Sequence, residues 1–275
     1  METGDIPAGL ALCREAGWNQ IADDWDLLLR HSRGAARVVL DEGAIVGTVT
    51  AVDYERRFGW IGMVLVHDRH RHLGLGTRLL SMAMDQLSGC ETVKLDATPA
   101  GRRVYLPLGF ADEWGLMRME AVASPMVQPG NVSVRAIRPD DVATILAWDR
   151  EVFGADRGAL LARYWELAPQ YGQIAERGRN LAGFALSRRG FRWDQVGPVV
   201  ATDRETAQSL LATLFADHAG QQFLIDAPLA DPQWVAWLRA IGFSDQRPYT
   251  RMFKGPNRHP GRPSRQFAIL GPELG

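Results

Sequence analysis

Residues 64–80 read VLVHDRHRHLGLGTRLL and contain Arg71-x-x-Gly74-x-Gly76. The apolar run from Trp60 to Val66 predicts a buried strand, and the spacing Leu75, Leu79, Leu80, Met84 predicts a helix after the glycines. Strand, glycine-containing turn and helix together form an arrangement that binds phosphate. The turn and the first helical turn leave backbone N–H groups without intrahelical partners, converging on one spot. The helix dipole adds partial positive charge there. Gly74 and Gly76 allow a bulky anion close to the backbone because no Cβ intrudes. Arg71 and Thr77 offer a guanidinium and a hydroxyl. Ordinary strand-to-helix turns share this short pattern. The stretch is not a Walker loop, since no Gly-Lys-Ser/Thr follows. A dinucleotide fingerprint would need G-x-G-x-x-G and an acidic residue ending the next strand.

Residues 95–110 read LDATPAGRRVYLPLGF. Val93 to Ala97 suits a strand, Pro99 a first helical turn, Gly101 to Leu108 a short helix, and Gly109 its end. Tyr105 then stands four residues before Gly109, on a short helix following the next strand. With both motifs in this order, the chain resembles the GNAT acetyltransferases. Their cofactor motif is Q/R-x-x-G-x-G/A, and many end the domain with Y-x-x-x-G-F. The resemblance covers residues 8–120.

The resemblance implies acetyl-CoA as co-substrate. Backbone amides of Met63, Val64, Leu65 and Val66 would bond its pantetheine arm. Those of Arg71, His72, Leu73, Gly74, Leu75, Gly76 and Thr77 would cradle its pyrophosphate. The acceptor amine would attack the thioester directly, giving a tetrahedral oxyanion, and Tyr105 would protonate the leaving thiolate. A phenol is protonated at pH 7 and can serve as a general acid. The family usually has Gly where this chain has His72. His67, His70 and His72 read as a solvated basic loop edge, and no metal is expected.

The general base is not legible. The strand WIGMVLV carries no carboxylate. Asp53 and Glu55 fall on one strand face before a predicted turn at Arg56-Arg57-Phe58-Gly59. Asp96 either positions the acceptor or caps the Pro99 helix. The helix QIADDWDLLLRHS buries Ile21, Trp25, Leu28 and Leu29 on one face. Trp18, Asn19 and Tyr54, with Asp96, are candidates for the acceptor groove. Trp18, Trp25, Tyr54 and Trp60 would suit a cationic amine, although core packing explains Trp25 and Trp60 equally well.

Length fits two ordinary domains: 275 residues, 46% hydrophobic and 23% charged. The net charge of −1 gives no electrostatic case for nucleic acid. Cys13 and Cys90 are the two cysteines, so no disulfide framework is indicated. No signal peptide or membrane-length apolar run is legible, so a cytoplasmic monomer or homodimer is expected.

The predicted division is a catalytic domain over 1–124, a linker over 125–131 and a second domain over 132–275. The second half repeats the first in outline. Strands are predicted over 132–137, 181–187, 192–201 and 222–226, and helices from Pro139, from Asp203 and from Asp231-Pro232. Gly242-Phe243 echoes Gly109-Phe110. The fold class expected is α/β (α+β): two tandem GNAT folds, each a mixed, mostly antiparallel twisted sheet flanked by helices. Where the first half has R-x-x-G-x-G, the second reads GPVVATDRETAQ, and Leu238 stands where Tyr105 would be. The second half is therefore expected to keep the scaffold and lack the cofactor site. Trp148, Asp149, Tyr164, Trp165 and Asp226 are its candidate pocket residues, and Phe267 to Leu270 a candidate edge strand. The function expected is acetyl transfer to a small primary amine. The alternative is a non-catalytic acyl-CoA-binding regulatory module.

Overall fold

The computed structural model describes residues 1–126, 132–178 and 180–275. Residues 127–131 of the predicted linker lie outside the described residues. The elements run α1 (Ile6–Glu15), α2 (Ala22–Ser32), β1 (Arg37–Asp41), β2 (Ala44–Tyr54), β3 (Phe58–Val66), α3 (Leu75–Gln86), β4 (Thr92–Ala97), α4 (Pro99–Tyr105) and β5 (Ala111–Val122). After the linker follow β6 (Ser133–Ala136), α5 (Val142–Phe153), α6 (Gly158–Leu167), β7 (Gln173–Arg177), β8 (Asn180–Arg188) and β9 (Asp194–Ala201). The chain closes with α7 (Arg204–Asp217), β10 (Gln222–Pro228), α8 (Pro232–Ala240), β11 (Ser244–Lys254) and β12 (Gln266–Ala268). The predicted strands and helices are all present; α1, α6, β1, β5, β7 and β11 are additional.

The compact units do not follow the sequence halves. One comprises Met1–Glu113, Arg251–His259 and Pro272–Gly275; the other comprises Trp114–Thr250 and Pro260–Gly271. The predicted boundary at residue 124 follows the chain rather than the packing. Most of β5 belongs to the second unit, and the end of β11 belongs to the first. Strand partners are chosen by backbone pairing and buried faces, which can join segments distant in sequence.

In the first unit β1, β2 and β3 pair antiparallel, and β3 pairs parallel with β4. Leu79, Leu80 and Ala83 of α3 pack with Val49, Ala51, Ile61, Leu95 and Ala97 in one apolar cluster. Each fully buried leucine there contributes about 1.5–3 kcal/mol. Trp25 of α2 is fully buried against α1, where a Cβ at Gly9 would come within 2.8 Å of its ring. Trp25 is thus a core residue rather than part of a groove. The predicted turn after β2 is shifted: Glu55 and Arg56 take positive φ, and Phe58 already belongs to β3. Glu55 therefore lies beyond the strand alternation that paired it with Asp53.

In the second unit β6, β7, β8 and β9 pair antiparallel in sequence, β9 pairs parallel with β10, and β10 antiparallel with β5. The strand pairing in each unit is mixed and mostly antiparallel. The β9–β10 register runs from Phe223↔Asp194 to Ile225↔Val196. Beyond it β12 pairs with β9 through Gln266↔Val200 and Ala268↔Val199, and Ile269 N–H donates to Asp226 O. The predicted edge strand is therefore an internal one, placed where β9 and β10 part.

Candidate active site

Strand β3 positions the site. Its parallel register with β4 spans Phe58↔Thr92 to Trp60↔Lys94, although the strands run on to Val66 and Ala97. The β2–β3 register shifts between Thr48 and Thr50, and Met63 takes φ +52°. This is a β-bulge, which bends the strand and re-aims its side chains. The Thr48 hydroxyl pins it by donating to Met63 O at 2.9 Å. The bulge reverses the alternation. Ile61 faces the α3 cluster before it, and Val64 and Val66 face that cluster after it. The predicted pantetheine-binding run Met63–Val66 is therefore the stretch that leaves β4.

The loop after β3 ends at Gly74, with φ +76°, as the N-cap of α3. Arg78 N donates to Gly74 O, so the N–H groups of Leu75, Gly76 and Thr77 precede the helical ladder. A Cβ on Gly74 would meet nothing within 4 Å, and one on Gly76 would meet only Val66 Cγ2 at 4.0 Å. The space above both glycines is open, and it fits a phosphate cradle. His72 has φ +65°. The family's glycine at this position thus has a physical reason, and His72 holds the left-handed conformation at a cost of about 1–2 kcal/mol.

Arg71 is placed differently from the expectation. Its Nε donates to Val66 O at 3.2 Å and its Nη2 to Glu15 at 3.3 Å. Glu15 also accepts from Asp68 N at 2.6 Å. Arg71 therefore braces the loop against α1. The His-rich run is likewise engaged locally: His70 Nε2 lies 2.9 Å from Asp41, and His67 borders Glu15 and Asp68.

Thr98, not Asp96, caps α4: its hydroxyl accepts from Gly101 N at 3.1 Å. Pro99 occupies the first turn, and Gly109 ends the segment with φ +87°. Tyr105 is half-buried and packs on the same cluster as Val64 and Val66. Desolvation pushes its phenol up to about 12. It is fully protonated at neutral pH.

The remaining candidates lie on the opposite sheet face or beside it. Asp96 forms a bidentate pair with Arg251, 2.9 Å at each contact, and the guanidinium lies 4.6 Å from the Trp60 ring centre. Lys94 pairs with Glu113 at 3.3 Å, and burial pulls its ammonium below the usual lysine range despite that partner. Tyr54 is buried, and its hydroxyl donates to Leu274 O at 2.9 Å. Trp18 is half-buried and Asn19 buried, in the turn between α1 and α2 that Arg14 holds through Trp18 O and Gln20 O. Arg251, Glu113 and Glu273 have no motif to announce them; each comes to this face from a distant part of the chain.

Cys13 on α1 is fully buried, and burial raises its thiol from 9.0 to about 12. The folded value lies above the unfolded one. The contribution to stability is therefore complete below pH 9 and is lost as pH rises toward 12. At pH 8 the native Cys13 is expected to resist a thiol reagent that labels the urea-unfolded chain within minutes. Fast labelling of Cys13 in the native protein would contradict the packing of α1.

An Acetyltransferase (GNAT) family model matches residues 11–110, and an Acetyltransferase (GNAT) domain model matches residues 145–268. The chain is 26% identical over 266 residues to holothin acyltransferase of a Pseudoalteromonas strain, covering 93% of this chain and 88% of the relative. It is 24% identical over 271 residues to the uncharacterized N-acetyltransferase YitH of Bacillus subtilis, covering 97% and 94%. A putative acetyltransferase from Pyrococcus horikoshii shares the fold, with a TM-score of 0.83 at 19% identity, covering 100% of this chain and 94% of that one. Two matched models, motifs in order and a shared fold agree: the chain belongs to the GNAT acetyltransferases, as an acyltransferase with a GNAT domain in each half.

Proposed function

We propose that the protein is an acetyl-CoA-dependent N-acetyltransferase acting on a small primary amine, with its transfer centre in the first unit. The observation that carries this reading is the parting of β3 from β4 at a bulge, directly ahead of the open Gly74–Gly76 loop. A parted strand edge offers N–H groups to an amide-containing arm, and the α3 N-terminus offers them to phosphates. Acetyl-CoA supplies the activated acetyl group when bound. Met63–Val66 would align its arm, and residues 71–77 would hold its diphosphate. The amine nitrogen gains the acetyl group as the carbon–sulfur bond breaks. Tyr105 would give its proton to the departing sulfur, and the amine sheds its own to solvent.

In the second unit, β12 occupies the corresponding parting between β9 and β10. Gly197 lies so close to Ile269 O that a Cβ would meet it at 1.9 Å. With no glycine-rich loop in GPVVATDRETAQ, this supports a second unit without a cofactor site. Calorimetric titration with acetyl-CoA is expected to give one site per chain. Gly76→Glu should weaken binding by about 100-fold, because a carboxylate at the cradle repels the diphosphate. Its Cβ fits the open space, so the fold should persist. Two sites, or none at millimolar ligand, would overturn the reading.

A further inference from the structure

Pro272–Gly275 belongs to the first unit, although Pro260–Gly271 belongs to the second. It covers the sheet face turned away from α3. On β3, Ile61 faces the α3 cluster, while Trp60 and Gly62 face the other way. Trp60 Nε1 donates to Pro272 O at 3.0 Å, and Tyr54 donates to Leu274 O. Gly62 lies under Glu273: a Cβ there would come within 2.6 Å of Glu273 O and 2.9 Å of its Cα. Only glycine admits so close an approach. Glu273 is 5% exposed, and its charge opposes ionisation of Cys13 on α1.

Strand β4 alternates in the same sense. Leu95 and Ala97 join the α3 cluster, and Lys94 and Asp96 point away from it. With their partners, this face carries Asp96, Glu113 and Glu273 against Lys94 and Arg251. An acyl carrier whose phosphates sit at the head of α3 fills the side bordered by Val64, Val66 and Tyr105. An amine must then reach the acyl carbon from the other face, through the parting of β3 and β4. That parting begins after Trp60 and Lys94, and Glu273 lies over Gly62, next to the bulge.

We propose that Pro272–Gly275 forms the wall of the acceptor site and that the Glu273 carboxylate binds the acceptor as its ammonium ion, which gives one proton to solvent before the neutral nitrogen attacks the thioester carbon and a second once the carbon–nitrogen bond has formed. This rests on the acetyl-CoA reading of the first unit. The second unit shows what a strand does when it enters such a parting: β12 pairs into it and closes it. Pro272–Gly275 instead reaches its unit through the Trp60 and Tyr54 side chains and covers the face.

The test uses the full chain and the release of free thiol from acetyl-CoA, with putrescine, tyramine and lysine as probe amines. Glu273→Gln keeps the shape and removes the charge. It is expected to lower kcat/KM for the amine acetylated fastest by about 10–100-fold, mainly through KM. The Kd for acetyl-CoA should stay within about twofold, and Glu273→Asp should recover part of the loss. In the full chain, Gly62→Ala places a methyl within 2.6 Å of Glu273 O and displaces the segment, and it should hydrolyse acetyl-CoA severalfold faster in the absence of amine, because water enters where the wall stood. That arm needs no acceptor. Glu273→Gln with wild-type kinetics, or with losses confined to thermal stability and acetyl-CoA affinity, would overturn the proposal. Unchanged hydrolysis by the Gly62→Ala variant would overturn it too. A wild-type protein that fails to bind acetyl-CoA would instead remove the reading beneath it.

Discussion

Tyr105→Phe is expected to lower kcat by about 10²–10⁴-fold while the Kd for acetyl-CoA stays within about twofold. The substitution removes one oxygen and leaves the ring. The ring packs over Gly101, whose Cβ position lies 3.0 Å from it, and sits 6.1 Å from Phe110 between centroids. Packing is thus retained and only the proton is lost. The pH dependence sharpens the test. With the phenol raised from 10.0 to about 12, the acid form is complete across pH 6–10. The difference between wild type and variant should therefore hold constant up to about pH 10, where an ordinary tyrosine would already be half ionised. A variant with wild-type kcat would remove Tyr105 from the chemistry. A variant with weakened acetyl-CoA binding and unchanged kcat would assign it to binding.

Arg251→Ala is expected to cost about 3–5 kcal/mol in folding stability, measured by urea unfolding. The Asp96 side chain is fully buried and Arg251 is 5% exposed, so removing the cation takes the bidentate partner from a carboxylate held out of water. Arg251 also covers Trp60, which adds lost packing. Converting the pair to an apolar one, Asp96→Leu with Arg251→Met, should recover most of that loss, because the penalty belongs to the buried carboxylate that has lost its bidentate partner. The same reasoning reaches the domain boundary. A polypeptide of residues 1–124 lacks Arg251, the end of β11 beside β4 and Pro272–Gly275. It is expected to show no cooperative thermal transition. A folded, acetyl-CoA-binding 1–124 fragment would contradict the composition of the first unit.

Much of the fold is legible in the sequence because it is locally encoded. Leu75, Leu79, Leu80 and Met84 recur at helical spacing, Pro99 and Gly109 bound a short helix, and Gly74 marks a left-handed turn. Each depends on residues within a few positions. The glycine loop and the Tyr105 frame belong to this class, so motif order marks them in the sequence. Alternation fails across β3 for a physical reason. The bulge at Met63 changes which residues face α3, and no local residue announces it, since Met is not a residue that favours positive φ. Arg71 reads as a phosphate ligand by its motif, but Glu15, distant in sequence, engages its guanidinium.

The sequence by itself determined that two GNAT-like halves follow one another, that the first carries the glycine loop and the tyrosine, and that the second lacks both. Tertiary structure decided which segments complete each unit. Asp96 is neither a cap nor a free carboxylate because Arg251 lies against it, and Thr98 takes the cap. Glu273 reaches the face away from α3 because Gly62 leaves room for it. Pairing between strands and matching of buried charges depend on proximity in space, and spacing along the chain carries no record of them.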